Sequence, residues 1–129
     1  MSTLPVWGSL SVKGNLESET NKFLTGDVRP LSPAVQDTAG NYTLDSFSST
    51  VYRSCEYLIQ ISQGGNFAVV RIIILHNNVS VFLSEYGRIE PIDTGVEFFA
   101  TLVNGLVSLS YSQPALNTEV KSLGTFLNH

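Results

Sequence analysis

The run Phe67 to His76 constrains this chain more than any other stretch, because it is apolar on nearly every residue. Read as a strand, Ala68, Val70, Ile72 and Ile74 fall on one face. Phe67, Val69, Ile73 and Leu75 fall on the other, interrupted only by Arg71. A strand with one wet face alternates apolar and polar side chains, and this one does not. Both faces therefore need cover, one from an opposing sheet and one from the N-terminal segment or a neighbouring subunit. Val70, Arg71, Ile72 and Ile74 are accordingly candidate partner-interface residues.

Turn chemistry frames this run. Gly64-Gly65 before it and Asn77-Asn78 after it are hairpin signals, since both residue types reach the left-handed backbone such turns require. Upstream, Val51, Cys55, Tyr57, Ile59 and Ile61 share a face. Ser54, Glu56, Gln60 and Ser62 share the other, and Tyr52 and Leu58 break the pattern. Downstream come Val79 to Leu83, a looser crossing segment over Arg88 to Gly95, and a hairpin around Asn104-Gly105 joining Val96–Val103 to Leu106–Tyr111. Thr118 to Leu127 is the closing strand. Seven or eight short strands without a helix predict an all-β fold, an antiparallel β-sandwich with the jelly roll among its variants.

Residues 1–40 have another texture. Pro5, Pro30 and Pro33 interrupt any period, and only Val6 to Val12 alternates. Proline removes a ladder donor and biases its predecessor away from helix. This segment is read as an extended N-terminal arm lying on its own domain and on neighbours, with residues 41–129 as the sandwich. Val6, Trp7 and Leu10 are its candidate contact residues.

Composition excludes several functions. The seven Lys and Arg residues are scattered and the net charge is −4, so no basic patch exists to neutralise phosphates and no nucleic-acid partner is expected. The longest uninterrupted apolar run within the central strand, Ile72 to Leu75, is far too short for a membrane-spanning helix, and no membrane association is expected. The opening residues lack the charged start and apolar core of a secretion signal. Charged residues make up 14% of the chain, below the roughly 25% of soluble domains, which suits either a surface partly covered by neighbours or an ordinary all-β domain with hydroxyl-rich strands. The lone Cys55 falls on an apolar strand face, where a buried, inert thiol is expected.

Chemistry is thinly supplied. His76 and His129 have no metal-ligand spacing, and His76, beside a turn, reads as a hydrogen-bonding residue. Glu85, Glu90, Asp93 and Glu97 flank a loop and read as a solvated rim. No serine sits in a nucleophile elbow, and no glycine loop opens a helix to cradle phosphate. The expectation is a protein that is not an enzyme, with no cofactor and no metal. Arg53 and Arg71 each interrupt an apolar face. Each needs a carboxylate or carbonyl partner, with Glu56 and Glu85 as candidates, or reaches solvent from a strand end.

Three motifs in order carry a resemblance: Arg53-Ser54-Cys55-Glu56-Tyr57-Leu58-Ile59-Gln60-Ile61, then Ile73-Ile74-Leu75-His76-Asn77, then Leu83-Ser84-Glu85-Tyr86-Gly87. Together with the Asn104-Gly105 hairpin and Glu119-Val120-Lys121, they resemble a β-sandwich domain family of tailed-bacteriophage virion structural proteins, especially those of cyanophages, over residues 47–127. The family's Ala-Lys is Cys55-Glu56 here, and its Asp-Gly turn is Asn77-Asn78. The resemblance implies a virion location and a homo-oligomer, with a trimer among the possible forms. Its first implied role is a capsid decoration, or cement, protein on the capsid surface, with the major capsid protein as partner. A tail, neck or fibre protein is the alternative, and a glycan- or host-surface-binding module the third reading.

Overall fold

Gly64 and Gly65, both at positive φ (56° and 93°), turn strand β5 (Tyr52–Gln63) back into β6 (Asn66–His76). Asn78, at φ 76°, and the side chain of Asn77, which accepts from the Val79 and Ser80 N–H groups, then turn β6 into β7 (Val81–Ile89). Asn104 and Gly105 do the same between β8 (Glu97–Val103) and β9 (Leu106–Gln113). The three hairpins lie at the expected turns. The structure, a computed structural model, describes residues 21–22, 25–114 and 117–129, so the expected contacts Val6, Trp7 and Leu10 lie outside the described residues.

The remaining strands are β1 (Asn21–Lys22), β2 (Gly26–Pro30), β3 (Ala34–Gln36), β4 (Gly40–Ser48) and β10 (Thr118–Asn128). They form two antiparallel sheets packed as an all-β sandwich. The larger runs β1-β2-β10-β5-β6-β7 with β3 also paired to β10, and the smaller runs β4-β9-β8. A jelly roll divides eight strands over two Greek keys; among the described residues the division is seven and three.

The register decides which residues meet. Tyr57 pairs with Ile72 and Ile59 with Val70, all facing the small sheet, while Leu58 pairs with Arg71 and Glu56 with Ile73 on the opposite face. Tyr57, Ile59, Val70, Ile72, Ile74 and Phe126 of the larger sheet meet Phe47, Val107, Leu109 and Tyr111 of the smaller one. Phe126 stands edge-on to both Phe47 and Tyr57, with ring centroids 5.6 Å apart in each case, a favoured aromatic geometry. Val70, Ile72 and Ile74 are 0% exposed. The expectation that they present themselves to a partner is corrected: the small sheet covers them within the chain. The residues left facing outward are the odd-numbered set of the same strand.

Residues 26–36, part of the segment read as an arm, pair along β10 at Leu123↔Pro30 and Glu119↔Val35. Pro30 ends its strand and Pro33 lies between strands, so neither removes a donor from a strand interior. Two edge strands are irregular. Register shifts between Thr43 and Asp45 in β4, and opposite Val69 to Arg71 in β7, where Gly87 sits at φ 65°. Such bulges twist an edge and interrupt its template for further strand pairing. After β7 the chain crosses to the smaller sheet, and the buried Gln63 donates to the Thr94 carbonyl (3.0 Å) to hold the crossing.

Candidate interaction surface

Alternation along β10, β5 and β6 sends every second side chain out of the sandwich. Across those strands and β7, the register sets them in rows: Leu127, Ser54, Leu75 and Phe82; then Thr125, Glu56, Ile73 and Ser84; then Leu123, Leu58, Arg71 and Tyr86. Phe67 (61% exposed), Ile73 (41%) and Leu75 (47%) stand open, as do Leu58, Phe82, Leu123 and Leu127. At one end, Phe67, Val69, Ile89 and Pro91 line a shallow hollow of about 520 Å³ together with Gln60 and Ala68. Several open apolar side chains gathered on one face, with Leu123 paired to Leu58 and Leu75 to Phe82, mark a candidate interaction site, whereas apolar residues scattered singly do not.

Polar groups sit in the middle of the face. Arg71 lies 3.5 Å from Glu56, and Tyr86 donates its hydroxyl to the same carboxylate, which holds the Tyr86 hydroxyl above its ordinary pKa. Of the two carboxylates considered for Arg71, Glu56 is its partner. Glu85 instead pairs with Arg88 (2.6 Å). Arg53 takes carbonyls at the end of the sandwich, donating to the His76 backbone oxygen (3.1 Å) and to Asn78 Oδ1 (3.2 Å), with His129 Nε2 2.7 Å away.

His76 is buried with both ring nitrogens engaged. The Asn78 N–H donates to its Nδ1 (3.1 Å), so Nε2 carries the proton and donates to the Tyr52 carbonyl (2.7 Å). The neutral ring pins the β6–β7 turn to β5. Neither nitrogen is left for a ligand.

The acidic concentration near the crossing lines a hollow of about 410 Å³ with Arg88 and Phe98. Its carboxylates are largely occupied. Glu90 accepts from the Thr94 hydroxyl (2.6 Å) and N–H (3.1 Å) and from Arg88 (3.1 Å), and these bonds, Thr94's first, lower its pKa. Among the described residues, no group of three or more His, Cys, Asp or Glu side chains could hold a metal ion.

One polar cluster has no local sequence signal. Arg29 of β2 forks onto Asp45 of β4 (2.8 and 3.3 Å), Tyr57 of β5 donates to the same carboxylate (2.7 Å), and the Arg29 guanidinium lies 4.5 Å from the Phe126 ring centre. Beside it, Tyr52 donates to Asp27. This bidentate pair bridges the two sheets and fastens β2 to the sandwich.

Comparison with known proteins gives distant likenesses only. No protein-family model matches the chain, and no curated protein matches it. Among solved structures, the tailspike protein of Acinetobacter phage vB_ApiP_P1 is similar over 91% of this chain, at 14% identity and a TM-score of 0.45. The tailspike protein of Acinetobacter baumannii phage AM24 is similar over 78%, at 15% identity and a TM-score of 0.40. This chain spans about a quarter of the length of each, 25% and 26%.

Proposed function

We propose that this chain is a non-catalytic structural component of a phage virion, held in the particle through the outward face of its larger sheet. The carrying observation is that face: Leu58, Phe67, Ile73, Leu75, Leu123 and Leu127 stand open in one layer across three paired strands. These side chains are 40–61% exposed, so covering what remains open is worth roughly half of the 1.5–3 kcal/mol of full burial for each, a drive to associate. The motif resemblance over residues 47–127 supplies the virion context.

Within the particle, we place the chain in the tail, neck or fibre ahead of the capsid surface. The cement reading drew on an arm threaded along neighbouring subunits. Residues 26–36 of that segment are instead committed to the chain's own β10, which removes part of its support. The test is localisation in particles complemented with an epitope-tagged copy. Immunogold label on the tail is expected; label distributed over the shell would return the capsid reading. An Ile73→Asp variant, folded by circular dichroism, should fail to enter particles, and its normal incorporation would remove the face from the account.

A further inference from the structure

We propose that strand β8 is the site at which two copies of this chain join, their smaller sheets pairing edge to edge, antiparallel, about a two-fold axis centred on Ala100. This site lies on the smaller sheet, apart from the outward face of the larger one, and neither depends on the other.

An edge strand is a template for another strand unless it is short, bulged, or guarded by lysine or proline. Among the described edges, β1 and β3 are short, and β4 and β7 carry register shifts. β8 runs for 7 residues in unbroken register, without Lys, Arg or Pro. The turn that ends it sets its hydrogen-bonding parity. Asn104 and Gly105 both have positive φ (50° and 78°), so the flanking pair Val103 and Leu106 exchanges both backbone bonds. Alternation then aims Glu97, Phe99 and Thr101 at β9 as well. Phe98, Ala100 and Leu102 aim their N–H and C=O groups off the sheet, where no described strand pairs with them. Val96, next along that edge, gives its carbonyl to Arg88 (3.3 Å), which closes that end.

The open stretch is therefore symmetrical about Ala100, and this symmetry commits it to a like strand. Setting Ala100 opposite the partner's Ala100 places Phe98 opposite the partner's Leu102 and Leu102 opposite the partner's Phe98. Every open donor and acceptor then finds its counterpart, the self-complementarity an isologous contact requires. Side chains agree with that register. Phe98, Ala100 and Leu102, half-buried against the core, continue into the partner's inner layer. On the outer side Phe99 (38% exposed) meets the partner's Thr101, an aromatic and β-branched pair. Charge selects the direction. Glu97 is the strand's single charge and lines the acidic hollow with Glu90 and Asp93. Antiparallel pairing sets it opposite the partner's Val103 and holds the two glutamates about 20 Å apart, beyond a Debye length of roughly 8 Å. Parallel pairing would put them side by side.

Sedimentation equilibrium of the full chain tests this. Wild type should give twice the 14.1 kDa chain mass. Ala100→Pro deletes an outward N–H but no bond to β9. It should stay folded by circular dichroism while self-association weakens at least about tenfold. Phe99→Lys/Thr101→Lys sets lysine opposite lysine and should dissociate the pair, whereas Phe99→Lys/Thr101→Glu sets opposite charges together and should keep it. A dimer that survives both Ala100→Pro and the double-lysine variant would overturn the proposal. Loss of the dimer in Ile73→Asp, with Ala100→Pro still paired, would overturn it too and move the contact to the larger sheet. A monomeric wild type would also overturn it. Failure of Ala100→Pro to enter particles would then give the edge to a strand of a different virion chain.

Discussion

Burial keeps three acidic side chains of β5 neutral. Cys55, 3% exposed, is pushed up from 9.0 to about 12 by desolvation. Tyr52 rises from 10.0 to about 12 by desolvation and then by its bond to Asp27, and desolvation raises Tyr57 further still. Each is an acid whose folded value exceeds its unfolded one, so the neutral form belongs to the folded chain. The associated stability is complete below pH 9 and is lost as pH rises from 9 towards 12. Denaturant unfolding should therefore show a midpoint that is steady near neutrality and falls across that alkaline window. A midpoint unchanged to the top of the window would contradict the buried, neutral assignment. The thiol was legible as buried because Cys55 shares a period-two face with Tyr57, Ile59 and Ile61. The partner of Tyr57 was not, since Asp45 lies on a strand of the other sheet.

At the scale of the strands, a bulge explains why Asp45 was missed. Tyr42 and Leu44 pack toward the core, which by simple alternation turns Asp45 to solvent. The register shift between Thr43 and Asp45 flips the parity, so that Asp45 and Phe47 point inward. The three-residue step from Leu44 to Phe47 is the trace of that shift in the sequence, but it does not say whether Asp45 or Ser46 turns inward. Asp45 then anchors Arg29, and through it β2, to the body of the sandwich. Asp45→Ala should cost about 3 kcal/mol in chemical unfolding, because it leaves a largely buried guanidinium unpaired. The paired replacement Arg29→Leu/Asp45→Leu should recover most of that loss. A single variant within experimental error of wild type would show that the pair does not fasten β2. The hairpins, by contrast, were legible residue by residue, because Gly64-Gly65, Asn77-Asn78 and Asn104-Gly105 carry their turn geometry in their own chemistry.

For the whole molecule, the doubly apolar β6 strand is resolved into one covered face and one open one. The period revealed that both faces need cover but could not say which the small sheet would take, since Ala68, Val70, Ile72 and Ile74 are as apolar as Phe67, Val69, Ile73 and Leu75. Pairing with β5 decides it, because Tyr57, Ile59 and Ile61 must share a side with their opposite numbers. Leu58, which breaks the alternation of β5, was a mark in the sequence of the open side, as were Leu123 and Leu127 in β10. The central claim is that this side is buried in the assembled particle. Thiol labelling of Ile73→Cys tests it most directly, with Cys55 silent through burial and Val79→Cys, on an 81% exposed turn position, as the reactive control. The open-face account predicts that Cys at 73 is protected in assembled particles, while the control reacts there, and that it labels fully in subunits dissociated below their association range. Equal labelling of position 73 in particles and in dissociated subunits would contradict it.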